Sequence, residues 1–241
     1  MQNNKIQILS TKMISDSLIS IADLYNICID QSPFIETKGM VTPALEERIL
    51  QLSQQNVTVI FTSVNAVKAV NRLLLTKPSW KIFCIEPATK KSVENLFGKE
   101  SIIGTAENAE LLADKIIANP SVKKGVFFCG DQRRNVLQEK LKKHGIELEE
   151  LTVYQTIEKP QIISKSYDGL LFFSPSAVKS FFSVNTISAP ARIFVIGSTT
   201  ASEVKLFTDL PVVIAEYPDA EKLICQVIKH FNASKSLKCN N

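Results

Sequence analysis

Histidine is scarce in this chain of 241 residues, where only His144 and His230 occur. A zinc or haem centre draws on such ligands. Both histidines stand in Lys-rich helix ends, where the negative end of the helix dipole accounts for them. The five cysteines, Cys28, Cys84, Cys129, Cys225 and Cys239, are scattered, mostly inside apolar runs, and form no C-x-x-C pair. That spacing reads as buried free thiols rather than a disulfide framework. No apolar run approaches the roughly 20 residues a membrane helix needs. The start, Met1-Gln2-Asn3-Asn4-Lys5, lacks a secretory apolar segment, so the expected location is the cytoplasm.

Several signatures of known chemistry are missing as well. The sequence has no G-x-G-x-x-G after a strand, no P-loop, no G-x-S-x-G and no H-E-x-x-H. Dinucleotide, nucleotide and zinc-hydrolase chemistry thereby lose their main support. The formal net charge is only +4, and the basic residues are spread over expected helix surfaces rather than gathered in a stripe. Such a balance favours an anionic small molecule over nucleic acid or a membrane.

What the chain does have is the composition of a globular protein, 45% hydrophobic and 22% charged. Its length favours two compact units. Short β-rich apolar runs recur at Ile6–Leu9, Val57–Phe61, Ile82–Ile85, Val126–Cys129, Gly169–Phe173, Ile193–Ile196 and Val212–Ala215. Between them, apolar residues fall at helical spacing over Pro43–Leu52, Ala66–Leu75, Leu111–Ile117, Val136–His144 and Glu221–Phe231. Alternating strands and helices predict an α/β fold with parallel sheets covered on both faces.

The chain also repeats itself. Phe61-Thr62-Ser63-Val64-Asn65-Ala66-Val67-Lys68 lies over Phe172-Phe173-Ser174-Pro175-Ser176-Ala177-Val178-Lys179, an offset of 111 residues from 61 to 172. The same offset places Ile82–Ile85 on Ile193–Ile196, Thr89 on Thr200 and Val93 on Val204. Two copies of a strand-helix-strand-helix unit predict two similar domains facing a cleft. A weaker echo links Ile6–Thr37 with Gly125–Thr156, each reading strand, helix, strand and polar exit. The first half-unit is compatible with either domain.

In each copy an apolar strand runs into a hydroxyl-rich turn and then a helix: Thr62-Ser63-Val64-Asn65 and Ser174-Pro175-Ser176. The turn Gly197-Ser198-Thr199-Thr200 repeats the arrangement. Free backbone N–H groups and the positive end of a helix dipole make the carboxyl edge of a parallel sheet an anion site. Ser, Thr and Asn are also ordinary helix caps, and both readings stand for any single turn. Asp131-Gln132-Arg133-Arg134 follows a strand end, where the arginines suit a carboxylate or an exposed first helical turn. Tyr154 lies at the exit from one unit into the next, and its phenol is a neutral donor at physiological pH unless it is simply packed there.

These pieces, together with Gly104-Thr105-Ala106, Val153-Tyr154-Gln155-Thr156 and Ile196-Gly197-Ser198-Thr199-Thr200-Ala201, resemble in order and spacing the uroporphyrinogen-III synthase family. The resemblance covers most of the chain. It implies two flavodoxin-like, three-layer domains joined by a two-stranded connector: an outer one from residues 1–36 and 160–241, an inserted one from 41–154, and connectors at 37–40 and 155–159. It further implies a cofactor-free, monomeric lyase that closes hydroxymethylbilane to uroporphyrinogen III, with loss of water and inversion of ring D through a spiro intermediate. Any handover from neighbouring pathway enzymes stays open.

By the same resemblance Tyr154 assists departure of the hydroxyl. Thr62, Ser63, Asn65 and Thr89 bind substrate from one domain, Ser174, Ser176, Gly197, Ser198, Thr199 and Thr200 from the other, with help from Thr11 and Lys12. The family often has Thr-Arg where Thr11-Lys12 stands, and glycine at the position of Glu86. Lysine keeps the charge without the bidentate fork, and Glu86 adds negative charge beside an expected carboxylate site. Two other readings share many of these features. A two-domain protein that closes on an anionic metabolite without chemistry would not turn over the bilane, and a Rossmann-like transferase would be stabilised by nucleotides.

Overall fold

The computed structural model describes residues 5–133, 135–187 and 189–232. Arg134, Cys239 and Met1–Asn4, named above from the sequence, lie outside the described residues. In chain order the elements are β1 (Ile6–Ser10), α1 (Asp16–Leu24), β2 (Ile27–Gln31), β3 (Ile35–Gly39), α2 (Pro43–Ser53), β4 (Thr58–Phe61), α3 (Val64–Asn71), β5 (Lys81–Ile85), α4 (Ala88–Phe97), β6 (Ile102–Ala106), α5 (Ala109–Ile117), β7 (Lys124–Gly130) and α6 (Val136–Lys143). They continue with β8 (Glu147–Glu158), β9 (Gly169–Phe172), α7 (Pro175–Phe182), β10 (Arg192–Val195), α8 (Ser198–Val204), β11 (Val212–Ile214) and α9 (Ala220–Phe231). Contacts divide the chain into two compact units: one runs up to Glu36 and resumes at Ile157, the other spans Thr37–Thr156.

The terminal unit holds a sheet in the order β11-β10-β9-β1-β2, all pairs parallel. Counted along that unit's own strands, this is the 2-1-3-4-5 order of flavodoxin-like folds. The inner unit holds β3-β8-β7-β4-β5-β6, with the pairs from β8 to β6 parallel. Its spatial order is the same once β7 and β8 are matched to β1 and β2. The inner unit is thus a circular permutation of the terminal one, with the half-unit placed after the repeat rather than before it.

Both sheets bury two faces, as apolar runs without alternation require. In β4, Val59 and Phe61 pack with α2, α3 and α4, while Ile60 turns to α5 and α6. In β9, Leu170 and Phe172 pack with α7 and α8, while Leu171 turns to a layer that includes α9. Phe61 stacks between Phe97 and Phe128 at 5.9 and 5.5 Å, and the indole of Trp80 donates to the Leu52 carbonyl at 2.9 Å. Trp80 also packs on Phe97 and Phe128, so the four rings form one group within the inner core.

The 111-residue offset survives in three dimensions. It carries β4 onto β9 and α3 onto α7 without slippage, then loosens to 110 for the starts of β6 and β11, at 102 and 212. Helix α3 departs from the expected Ala66–Leu75: it starts at Val64, because the Ser63 hydroxyl caps it by accepting from the Ala66 N–H at 3.2 Å, and it ends at Asn71. Leu75 lies outside the helix and is 87% exposed. The apolar run there overstates the helix.

The histidines differ from the dipole reading in one case. His144 sits at the end of α6 with Nδ1 on the Lys140 carbonyl at 2.9 Å. His230 instead packs edge-on against Phe194 at 5.4 Å, and burial, aided by Arg192, lowers its pKa. A dipole contact with a charged imidazole would raise it. Among the cysteines, Cys84 and Cys129 are buried, whereas Cys28 and Cys225 are partly exposed. Burial pushes the Cys84 thiol up to about 12, which makes it inert. Among the described residues no helix is long and apolar enough to cross a membrane.

Candidate active site

In open parallel sheets, the crevice forms where neighbouring strands send their connections to opposite faces. In the inner unit that point lies between β4 and β7, whose carboxyl ends lead into Thr62-Ser63 and Asp131-Gln132. In the terminal unit it lies between β9 and β1, which lead into Phe173-Ser174 and Thr11-Lys12. Most of the candidate residues stand at these two points or one strand away.

Ser63 and Ser174 occupy the same place in the two copies. Each caps its helix, α3 or α7, by accepting from the N–H three residues on, at 3.2 Å in both cases. Extended cap residues followed by helix leave the first N–H groups directed outward, which is the geometry that receives an anion. Thr62, Ser63, Ser174 and Ser176 are half-buried and Asn65 is exposed.

Tyr154 reaches the inner switch point from β8. The Ser63 side chain lies beside its phenol and favours the charged form. Burial raises its pKa above the ordinary 10.0 against the opposing effect of Ser63, with smaller upward contributions from Cys129 and Asp131. At neutral pH it is therefore a protonated donor. The ring packs against the end of β7: a Cβ on Gly130 would meet its Cζ at 2.5 Å and its hydroxyl oxygen at 2.8 Å. Only glycine leaves room for this ring.

Elsewhere the picture differs from expectation. Thr11 is fully buried, and both its hydroxyl and its N–H donate to the Leu171 carbonyl, at 2.7 and 3.1 Å. It ties β1 to β9 and keeps no free donor. Its neighbour Lys12 is exposed, with the ammonium over the Phe173 ring at 5.6 Å. Thr89 and Thr200, one in each copy, are 4% and 2% exposed and turn inward. Gly197 is extended with open space on its Cβ side, Ser198 is exposed and Thr199 half-buried.

Arg133 is also committed internally. Its guanidinium grips Glu150 at 2.9 and 2.6 Å and reaches the Gly130 carbonyl at 3.3 Å. Glu86 is not a bare charge: Lys90 at 3.3 Å and the Thr105 hydroxyl at 3.2 Å share its Oε2. Lys90 and Gly130 escaped the sequence reading. The spacing of four between Glu86 and Lys90 was available as a signal for the first, whereas nothing local singles out Gly130. A separate groove of about 620 Å³ lies at the opposite edge of the inner sheet, by Lys81, Lys124 and Glu147, and holds none of these residues.

Comparison with known proteins gives a consistent result. The protein-family model described as "Uroporphyrinogen-III synthase HemD" matches residues 29–225. The fold is similar to the crystal structure of a mutant uroporphyrinogen III synthase from the extremely thermophilic bacterium Thermus thermophilus, with TM-score 0.65 at 12% identity over 95% of this chain and 100% of that one. It is similar to the uroporphyrinogen-III synthetase of Helicobacter pylori, with TM-score 0.65 at 18% identity over 93% and 99% of the two chains.

Proposed function

This chain belongs to the uroporphyrinogen-III synthase family, and from that membership we propose how its two switch points divide the closure of hydroxymethylbilane. The substrate carries many carboxylates and closes unaided to the wrong isomer, so the protein must hold one conformation while the terminal hydroxyl leaves. Backbone N–H groups and hydroxyls can do this without a field of fixed cations.

In the inner unit, the start of α3 takes carboxylates through Thr62, Ser63 and Asn65. In the terminal unit, Ser174 and Ser176 at the start of α7 and the Gly197-Ser198-Thr199 turn do the same, with Lys12 adding a positive charge. Thr89 and Thr200 offer backbone N–H groups rather than their buried hydroxyls. Thr11 acts indirectly, by fixing the strand end that presents Lys12.

Tyr154 is the proton donor. As the C–O bond of the ring A hydroxymethyl group breaks, the phenol hydrogen-bonds or protonates the departing oxygen, which leaves as water. The resulting electron-poor carbon is attacked by ring D, the spiro intermediate rearranges, the macrocycle closes, and the proton that ring D loses on regaining aromaticity returns to the phenolate. A phenol held above its ordinary pKa remains protonated and ready for this step across the physiological range. The lyase class, a reaction without cofactor, a monomeric state and a cytoplasmic location belong to the same proposal, as does division into an outer domain and an inserted one.

The observation that carries this reading is the Tyr154 ring packed on Gly130 at the inner switch point, where burial keeps its phenol protonated. Its test is single-turnover closure of enzymatically generated hydroxymethylbilane by wild type and Tyr154→Phe, with the product isomers resolved. Slower closure in the variant is expected, and an unchanged rate would remove the role.

A further inference from the structure

The reading of Tyr154 as proton donor leaves open what holds its ring in place. We infer that Asp131 is a positioning residue for Tyr154, stapling the irregular end of β8 so that the phenol stays against Gly130 and Ser63. The inference rests on that reading of Tyr154.

The β7–β8 ladder is parallel and regular up to Cys129 opposite Thr152, then shifts so that Gly130 stands opposite Tyr154. One extra residue, Val153, enters β8 at this point. A bulge re-aims a side chain but interrupts the ladder that would hold it. Asp131 supplies the missing hold just after the tyrosine, through two bonds. Its N–H donates to the Tyr154 carbonyl at 3.1 Å, and its Oδ1 accepts from the Thr156 N–H at 2.9 Å. The same Oδ1 accepts from the Gln132 N–H at 2.9 Å, which fixes the carboxylate itself.

Two neighbours complete the arrangement. The Met40 N–H donates to the Val153 carbonyl at 2.9 Å, so the bulged residue is held from the β3 side. Arg133 ties the Gly130 carbonyl to Glu150 of β8, so the strand end under the ring does not drift from the strand that carries it. Asp131 is exposed and belongs to no apolar cluster, so its removal leaves both inner cores untouched. A residue with that placement has little to do for global stability and much to do for the register of one side chain.

The experiment compares wild type with Asp131→Ala, Asp131→Asn, Tyr154→Phe and the double variant Asp131→Ala/Tyr154→Phe. Each is checked for folding by circular dichroism and assayed for closure of hydroxymethylbilane with isomers resolved. Misplacing a catalytic group by about 1 Å costs on the order of 100-fold, so Asp131→Ala should lower kcat by about 10- to 100-fold with KM nearly unchanged. Asparagine keeps an oxygen for the same two N–H groups and should stay within about 3-fold of wild type. The double variant should be no slower than Tyr154→Phe, because positioning is worthless once the hydroxyl is gone.

Wild-type kcat in Asp131→Ala beside a slow Tyr154→Phe would overturn this inference alone. So would an Asp131→Ala loss that multiplies fully with that of Tyr154→Phe, or an Asp131→Asn variant as slow as Asp131→Ala. Wild-type closure by Tyr154→Phe would overturn the reading of Tyr154, and the present inference with it.

Discussion

The two units share strand order, helix placement and a serine-capped helix at the switch point, yet one carries a phenol there and the other does not. Tyr154 lies in the exit segment Val153–Thr156, and the corresponding residue of the exit Phe34–Thr37 is Ile35, which packs on the apolar core of the terminal unit. Repetition therefore supplied two similar serine-capped corners, and a single position sets a phenol beside one of them. The permuted chain path is part of this difference, since it places β8 and its bulge at the end of the inner unit.

The comparison is broken most severely at that position. Tyr154→Phe should lower the closure rate by about 100- to 10,000-fold, the usual weight of a general acid, while Ile35→Val in the terminal unit leaves it within about 2-fold. Single-turnover assays decide between them, and equal effects would dissolve the asymmetry. Next come the matched core rings. Phe61 and Phe172 are both fully buried at offset 111, so Phe61→Ala and Phe172→Ala should each cost about 3–5 kcal/mol by denaturant unfolding. A large cost in one copy alone would show that the two cores differ in ways their packing does not reveal.

The capping serines sharpen the comparison further. Ser63→Ala and Ser174→Ala should each lose about 1 kcal/mol of stability from the shared capping bond. Only Ser63→Ala should also lower kcat, because Ser63 and not Ser174 lies beside Tyr154. If the Ser174 variant lost kcat instead of raising KM, the division between binding corner and reactive corner would be wrong.

The smallest effects concern pH. In the terminal unit Lys165, with Tyr167, holds the Asp30 carboxyl below its ordinary 3.8, and in the inner unit the Arg48 fork, with bonds of 2.6 and 2.7 Å, holds Glu149 below its ordinary 4.5. Because both folded-state values are depressed, each pair stabilises its unit above the ordinary carboxylate value and loses that contribution as pH falls through the lowered one. Asp30→Asn and Glu149→Gln should thus lower stability at neutral pH by at most about 1 kcal/mol, since the pairs are partly exposed. Melting temperatures measured down to acid should converge with wild type. A gap that persists below both carboxylate ranges would assign the loss to packing.

How far the sequence carried can be judged from particular elements. Strands β4, β7, β9 and β10 are legible because central parallel strands must be apolar on both faces, and each shows as an unbroken run. Strand β8 shows only through the weaker echo of Gly125–Thr156, since Glu147, Glu149 and Glu150 interrupt its pattern, and β6 escaped because Gly104 and Thr105 break its apolar run. The paired serine corners follow from the repeat. The inward turn of Thr11 does not, because it depends on a carbonyl 160 residues away, and the staple of Asp131 on Tyr154 does not, because it depends on a one-residue shift between two strands.

The most direct measurement follows the product isomers when purified protein is given enzymatically generated hydroxymethylbilane. The account predicts uroporphyrinogen III from wild type, formed faster than spontaneous closure, and loss of that excess in Tyr154→Phe. Isomer I alone, at the spontaneous rate and with the wild-type protein folded, would contradict it.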